Sequence, residues 1–362
     1  MGLPTNLSNV HILFVVDWFL KYASEQAVAA VRTGSQVTFV LRDHAQEFGG
    51  DQAERQRVVT RLTDAGVRVL VLPGRVSSAA SWRATGRLRR TLAGANIDVC
   101  HAHFNQDPRL LYVTRGLPTV LTVHDPVPHP GQPSVAAYKR QIQAAWRRRA
   151  ARLVLHGPAL IEELPTGLRS KARVVPHGSA VSEASTPKPG APVVAFLGRL
   201  EEYKGLGVLL EAMHLVWTAL PEARLLIAGR GEEAVRVPVD SRIELITDLI
   251  NDDEFNTLIK RSSVIALPYL QASASGVGSL AIGLGVPLVV SDQGTLASLV
   301  VDPRAVVAAG SPAALAEALI CQLAHTQADR DAVLLHARNT LSWDVAAAQS
   351  LALYRELVPG AA

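Results

Sequence analysis

The chain has 362 residues, 48% of them apolar and 19% charged, a length beyond one ordinary core that predicts two domains. No apolar run nears the roughly 18–20 residues of a membrane span, and the start, MGLPTNLSNV, lacks the basic-then-apolar order of a signal peptide, so a cytoplasmic protein is expected. The net charge of +4 hides an asymmetry: residues 1–180 carry 23 Lys+Arg against 12 Asp+Glu, net +11, and the remainder 13 against 20, net −7.

In chain order, the stretches 10–16 (VHILFVV), 36–41 (QVTFVL), 67–73, 98–104, 119–125 and 152–157 read as strands. Amphipathic stretches such as 20–33 and 52–65 read as helices between them, the pattern of βαβ units and a parallel sheet. Two basic stretches, 83–92 (RATGRLRRTL) and 138–153 (YKRQIQAAWRRRAARL), also read as helices, the second with Trp146 among its arginines. They are either solvated faces or a surface for anionic lipid head groups or an acidic polymer, each basic residue adding up to ~1 kcal/mol near such a membrane. No nucleic-acid partner is expected. Cys100 and Cys321 lie far apart and imply no disulfide framework, in keeping with a reducing compartment.

The segment 179–192 (SAVSEASTPKPGAP) breaks the alternation and reads as an interdomain linker, 181–192 in its narrower form. Strands resume at 193–198 (VVAFLG), 223–229, 242–246, 263–268, 287–292 and 305–309, with helices over 205–219 and 252–261. The fold class is therefore α/β: two doubly wound, Rossmann-like domains facing a central cleft, the first over 1–180 and the second over 193–342. Ligands in such folds sit beyond the carboxyl ends of the strands. Arg199 and Lys204 follow the strand 193–198, and Gly229, Arg230 and Gly231 follow the next. The small-residue run 271–287 (QASASGVGSLAIGLGVP) leads into a helix starting near Ser275–Gly276. Two cations beside a helix N-terminus suit a diphosphate. A solvated arginine or lysine, or tight packing of the small residues, is the reading for each feature taken alone; their order and spacing in one domain favours the ligand.

Residues 193–213 (VVAFLGRLEEYKGLGVLLEAM) resemble the signature of the retaining nucleotide-sugar glycosyltransferases with the GT-B fold, in the large bacterial family numbered 4. HAHF (101–104), TVHD (122–125), VVPHG (174–178), LLIAGRGEE (225–233), GVPLVVSDQG (285–294) and SWDVAAAQSLALYREL (342–357) follow in the order that family uses. The resemblance implies that Arg199 and Lys204 bind the donor diphosphate and stabilise the departing charge. It implies further donor contacts from Gly198, Gly229, Arg230, Gly231, Thr247, Leu249, Ser275, Gly276 and Val277. His124 is expected at the transferred sugar. Asp125, His129, His103, Asp17 and Trp18 are expected on the acceptor side, although Asp17 and Trp18 equally suit packing of a strand end. The last helix, 343–357, within the closing segment 343–362, resembles one that crosses back to the first domain. Two departures stand out. Ala272 and Leu280 occupy the positions of the family's paired glutamates, and Asp17–Trp18 replace its glycine-rich first loop.

The histidines His101, His103, His124, His129, His156 and His177 lie at or near strand ends. Without a cysteine among them they read as structural rather than metal-binding, and NDDEF (251–255) reads as a helix cap rather than a metal motif. No metal is expected, and no cofactor other than the nucleotide diphosphate sugar that serves as donor substrate. The expected function is transfer of a sugar to an acceptor hydroxyl (a glycan, a lipid-linked sugar or a small molecule) with retention, in bacterial polysaccharide, glycolipid or glycoconjugate assembly, from the cytoplasm or the inner face of the plasma membrane. Two alternatives stay open. One is an inverting transferase or an epimerase, with Asp17 or His103 as base; the other is a silent sugar-nucleotide-binding partner protein, which the missing glutamates would suit.

Overall fold

The computed structural model describes residues 10–43, 46–48, 50–103, 105–127, 136–248 and 250–358. The expected contacts His129 and Leu249 therefore lie outside the described residues.

The first half contains β1 (His11–Val16), β2 (Gln36–Arg42), β3 (Arg68–Leu72), β4 (Val99–Ala102), β5 (Thr119–Thr122), β6 (Arg152–Leu155) and β7 (Ala172–Val174). Its helices are α1 (Leu20–Arg32), α2 (Gln52–Asp64), α3 (Ala79–Ala93), α4 (Pro108–Val113), α5 (Ala137–Arg149), α6 (Ala159–Glu162) and α7 (Thr166–Arg169). The strands make one parallel seven-stranded sheet, ordered β3-β2-β1-β4-β5-β6-β7. The second half contains β8 (Val193–Leu197), β9 (Arg224–Ala228), β10 (Ile243–Ile246), β11 (Val264–Leu267), β12 (Leu288–Ser291) and β13 (Val306–Val307). Its helices are α8 (Leu206–Ala219), α9 (Asp252–Lys260), α10 (Gly276–Gly283), α11 (Pro312–Leu323), α12 (Gln327–Thr340) and α13 (Trp343–Arg355). These strands form a parallel six-stranded sheet, ordered β10-β9-β8-β11-β12-β13. The strands are near-continuous apolar runs because helices cover both sheet faces and exclude water from each.

In each sheet the winding direction reverses beside the first strand, between β1 and β4 and between β8 and β11. A crevice must open there at the carboxyl ends, since the following connections leave in opposite directions. Apart from 36–41, which stops one residue short of β2, the predicted strands are a residue or more too long, because Gly198, Gly229 and the terminal histidines already belong to turns. The three-residue β7 is too short to carry a periodic signal, and the sequence reading passed over it.

One face of the first sheet packs Phe14 and Phe39 against α1, Leu62 of α2, and Leu353 and Tyr354 of α13, so the end of the chain completes the first domain's core. The opposite face buries Leu88, Leu110 and Trp146. This corrects one expectation: Trp146 is not part of a basic surface. It is 1% exposed, and Arg149 stacks over its ring. The NDDEF segment caps α9, with Asn251 and Glu254 in a reciprocal capping box. Ser182 and Thr186 of the connecting segment bond to the carbonyls of Gly283 and Leu284 and lie on the second domain. No described helix is long and apolar enough to cross a membrane.

Candidate active site at the facing strand ends

The carboxyl edges of the two sheets face each other. Lys21, in the first turn of α1, pairs with Asp252, in the first turn of α9. A Cβ built on Gly157, just after β6, would lie 2.3 Å from Thr295, which follows β12. Thr295 is bonded through its backbone and hydroxyl to the carbonyl of Ser273, so the small-residue run lies beside this contact.

On the second domain, the turns after β8 and β9 are knitted by bonds from Leu200 N to Arg230 O and from Glu233 N to Leu200 O. The fit demands glycine: Gly229 has φ 154° and a Cβ there would lie 1.7 Å from the Gly198 carbonyl oxygen. Arg199 is exposed at this edge and donates to the Tyr203 hydroxyl at 2.8 Å. Lys204 donates to the Tyr269 hydroxyl at 2.8 Å and sits 4.1 Å from that ring's centroid. Tyr269 lies 3.3 Å from the Ser275 hydroxyl, which caps α10 by accepting from Gly278 N. Val277 reaches back toward Gly198. Gly198, Arg199, Lys204, Ser275, Gly276 and Val277 are thus brought together, with Gly229, Arg230 and Gly231 alongside. Thr247 lies farther out, exposed at the end of the edge strand β10. Among the described residues neither Arg199 nor Lys204 joins an ion pair; Glu201 and Glu202 leave them to phenol partners. Ala272 is buried in the second domain's core and Leu280 packs against it, so these two positions present apolar surface.

On the first domain, Asp17 is largely committed to structure. It accepts from Arg42 at 3.2 Å and from the Gln106 backbone N–H at 3.0 Å. Arg42 also pairs with buried Asp107, which holds the fully buried Arg109. Arg109 in turn donates to the carbonyls of Pro73 and Gly74. This network ties the loops after β1, β2, β3 and β4. Sequence reading missed it, since DP before an apolar helix signals only a cap. Trp18 is 37% exposed at the same edge. Phe19, just after Asp17 and Trp18, takes the left-handed conformation, φ 68°, which favours glycine. Its ring stacks on His124 with centroids 3.9 Å apart. Glu47 caps the start of α1 by accepting from Leu20 N at 2.7 Å, and burial raises its carboxyl pKa.

One histidine follows each of β4, β5, β6 and β7: His103, His124, His156 and His177. Four neighbouring strands thus end in four imidazoles. Tyr22 of α1 contacts all four rings and also Trp343. His101, one sheet layer below, binds the hydroxyls of Tyr354 and Thr122. Burial, followed by the neighbouring imidazoles, holds His103 and His124 well below the ordinary imidazole pKa. Burial lowers His156 to about 4, and His101 and His177 to about 3. The cluster is therefore neutral at pH 7. Both ring nitrogens of His124 have imidazole partners, His103 at 3.4 Å and His156 at 3.3 Å. Asp125 follows His124, and its carbonyl accepts from Arg147.

Comparison with known proteins decides the family. The family described as glycosyl transferases group 1 matches residues 191–325, and the glycosyl transferase 4-like domain matches residues 20–178. The chain belongs to the group 1 glycosyltransferases. It is 29% identical over 288 residues to phosphatidyl-myo-inositol mannosyltransferase of Mycobacterium leprae, covering 74% of this chain and 76% of that protein. Among solved structures, a glycosyltransferase from Rickettsia africae superposes with a TM-score of 0.68 at 14% identity, covering 98% of this chain and 100% of that one. HepE of Anabaena, in complex with UDP-glucose, gives 0.66 at 16% identity, over 96% of this chain and 100% of that one. At such identities the structural likeness speaks for the GT-B fold. The two family matches make this glycosyltransferase an enzyme.

Proposed function

We propose that this glycosyltransferase moves a sugar from a nucleoside diphosphate sugar, held by the second domain, to a hydroxyl of an acceptor held by the first. One observation carries the reading: Arg199 and Lys204 leave the same turn after β8, Lys204 reaches the start of α10 through Tyr269, and neither cation joins an ion pair among the described residues. A diphosphate supplies the missing negative charge, and the two cations stabilise it further as it departs. The UDP-glucose held by HepE supports a nucleotide-sugar donor of this class. Closure of the cleft excludes water and favours transfer over hydrolysis.

Retention is the stereochemical outcome we infer. It rests on the family resemblance and on the weakness of the candidate bases: Asp17 is bonded to Arg42 and to a backbone N–H, and His103 is held far below the usual imidazole range. We assign the diphosphate charge to the two cations rather than to a metal. No group of three described His, Cys, Asp or Glu side chains is arranged to hold one. Turnover is expected to persist in EDTA, and its loss there would overturn that assignment. The acceptor side is assigned to Asp17, Trp18, His103, Asp125 and His129, with His124 beside the transferred sugar. Arginines exposed on α3 (Arg83, Arg87, Arg90) suit an anionic membrane surface at the inner leaflet.

The decisive experiment is a thermal-shift screen against UDP, GDP, ADP and TDP and their sugars, followed by NMR of the product's anomeric proton. One nucleotide is expected to raise the melting temperature above the others. No shift with any of them would overturn the donor reading, and an inverted anomeric proton would overturn retention.

A further inference from the structure

The imidazoles at the cleft edge form a directed chain. His156 Nδ1 lies 3.1 Å from the Val175 carbonyl oxygen, which can only accept, so His156 must carry its proton on Nδ1. In a neutral ring Nε2 is then an acceptor, and its partner, at 3.3 Å, is His124 Nδ1. His124 must therefore donate from Nδ1, which leaves its Nε2 as an acceptor for His103 Nδ1 at 3.4 Å. His103 Nε2 closes the chain as a lone pair with no partner among the described residues, on a ring that is 0% exposed. One backbone carbonyl thus dictates three tautomers in succession, each the Nδ1–H form. The fold makes this possible because the three rings end three adjacent strands, β4, β5 and β6.

We propose that His156, anchored on the Val175 carbonyl, is a positioning residue that fixes the tautomer of His124 and, through it, of His103, so that the first domain presents the sugar with an ordered, uncharged imidazole chain. This rests on the proposed glycosyl transfer in the cleft. Positive charge builds on the sugar carbon as the diphosphate departs, and an imidazolium at His124 would oppose it. A carbonyl-anchored chain leaves His124 Nε2 with a donor already in place, and a proton arriving there has to displace it. His156 does not touch the reacting atoms in this arrangement; it acts through His124.

Two measurements on the full-length enzyme test this. The first is a 1H–15N correlation of the imidazoles in protein labelled with 15N-histidine at pH 7. His156, His124 and His103 are each expected to be neutral and protonated on Nδ1. An Nε2–H tautomer or an imidazolium at His124 would overturn the proposal. The second compares His156→Gln, whose amide oxygen can still accept from His124 Nδ1, with His156→Leu, which cannot. With whichever UDP, GDP, ADP or TDP sugar the wild type turns over, His156→Leu is expected to lower kcat on the order of 10- to 100-fold, the scale on which partners of a positioned imidazole act. Affinity for that donor's nucleoside diphosphate is expected to stay unchanged, and His156→Gln to keep most of the wild-type kcat. A His156→Leu variant with normal kcat, or a His156→Gln variant as impaired as His156→Leu, would overturn it. If the wild type turns over none of the UDP, GDP, ADP and TDP sugars, it is the glycosyl-transfer reading that fails, while the tautomer measurement still decides the chain.

Discussion

At the scale of single residues, Arg199 and Lys204 carry the donor reading. Their partners in the free protein are the hydroxyls of Tyr203 and Tyr269, which a diphosphate can displace because neutral phenols bind cations less strongly than anions do. Arg199→Ala and Lys204→Ala are each expected to weaken nucleotide binding by about 10-fold or more, measured by calorimetry, the loss of one charge-assisted bond being worth about 1.5–3 kcal/mol. His124→Ala is expected to cut turnover by ~10²-fold or more, the scale for a positioned polar group. The buried histidines also set an acid limit. Their folded pKa values lie below the ordinary 6.5, at about 4 for His156 and about 3 for His101 and His177. Below pH 6.5 the unfolded chain therefore binds protons that the folded chain refuses. No cost arises above pH 6.5; it accumulates as pH falls from 6.5 and levels off near 4 for His156 and near 3 for His101 and His177. Each such histidine costs up to about 1.4 kcal/mol per pH unit in that window. Denaturant unfolding at pH 7, 6, 5 and 4 should show a steep decline, and a flat profile would contradict the neutral cluster.

Elements act by holding these residues to tolerances that propensity alone does not set. The turn after β9 is the clearest case. A methyl group on Gly229 meets the Gly198 carbonyl, and the φ of 154° is already strained for any other residue. Gly229→Ala is expected to cost about 2–4 kcal/mol by chemical denaturation and to displace Arg199 with it. The turn after β1 holds its strain differently. Phe19 occupies the left-handed region without being glycine, and its stack on His124 offsets the cost. Phe19→Gly relieves the backbone and removes the ring. Stability within about 1 kcal/mol of wild type, with reduced turnover, is the outcome that fits a ring retained for the site.

For the whole molecule, the decisive link is the return of the chain. Ser179 pairs with Ser342 at the crossing, and α13 then delivers Trp343 against Gly178 and Tyr354 into the first domain's core. A Cβ at residue 178 would lie 2.2 Å from the Trp343 ring. Gly178→Ala is expected to shift α13 and lower kcat while leaving nucleotide affinity unchanged, because the proposed nucleotide contacts lie on the other domain. The Lys21–Asp252 pair across the cleft is exposed, so Asp252→Ala should change stability by less than about 1 kcal/mol. The excess of positive charge on residues 1–180 predicts sedimentation with anionic vesicles that fades as salt rises; salt-independent binding would place the contact elsewhere.

The sequence by itself determined the two alternating βα halves, the linker between them, the cap at Asn251 and the pair of cations after β8. Those signals are local: apolar period, turn composition and the order of residues within a few turns of chain. It also placed Ala272 and Leu280 where the family resemblance implies glutamates, though not that both pack against the second domain's core. The tertiary structure alone decided that Trp146 is core, that Asp17 is engaged by Arg42 and Gln106, and that three histidines become one hydrogen-bonded chain. His101 and its partner Tyr354 stand 253 residues apart, and the histidines of the chain meet only because β4, β5 and β6 are neighbours in the sheet. Contacts across such separations arise from strand order and close packing, which no periodicity along the chain encodes.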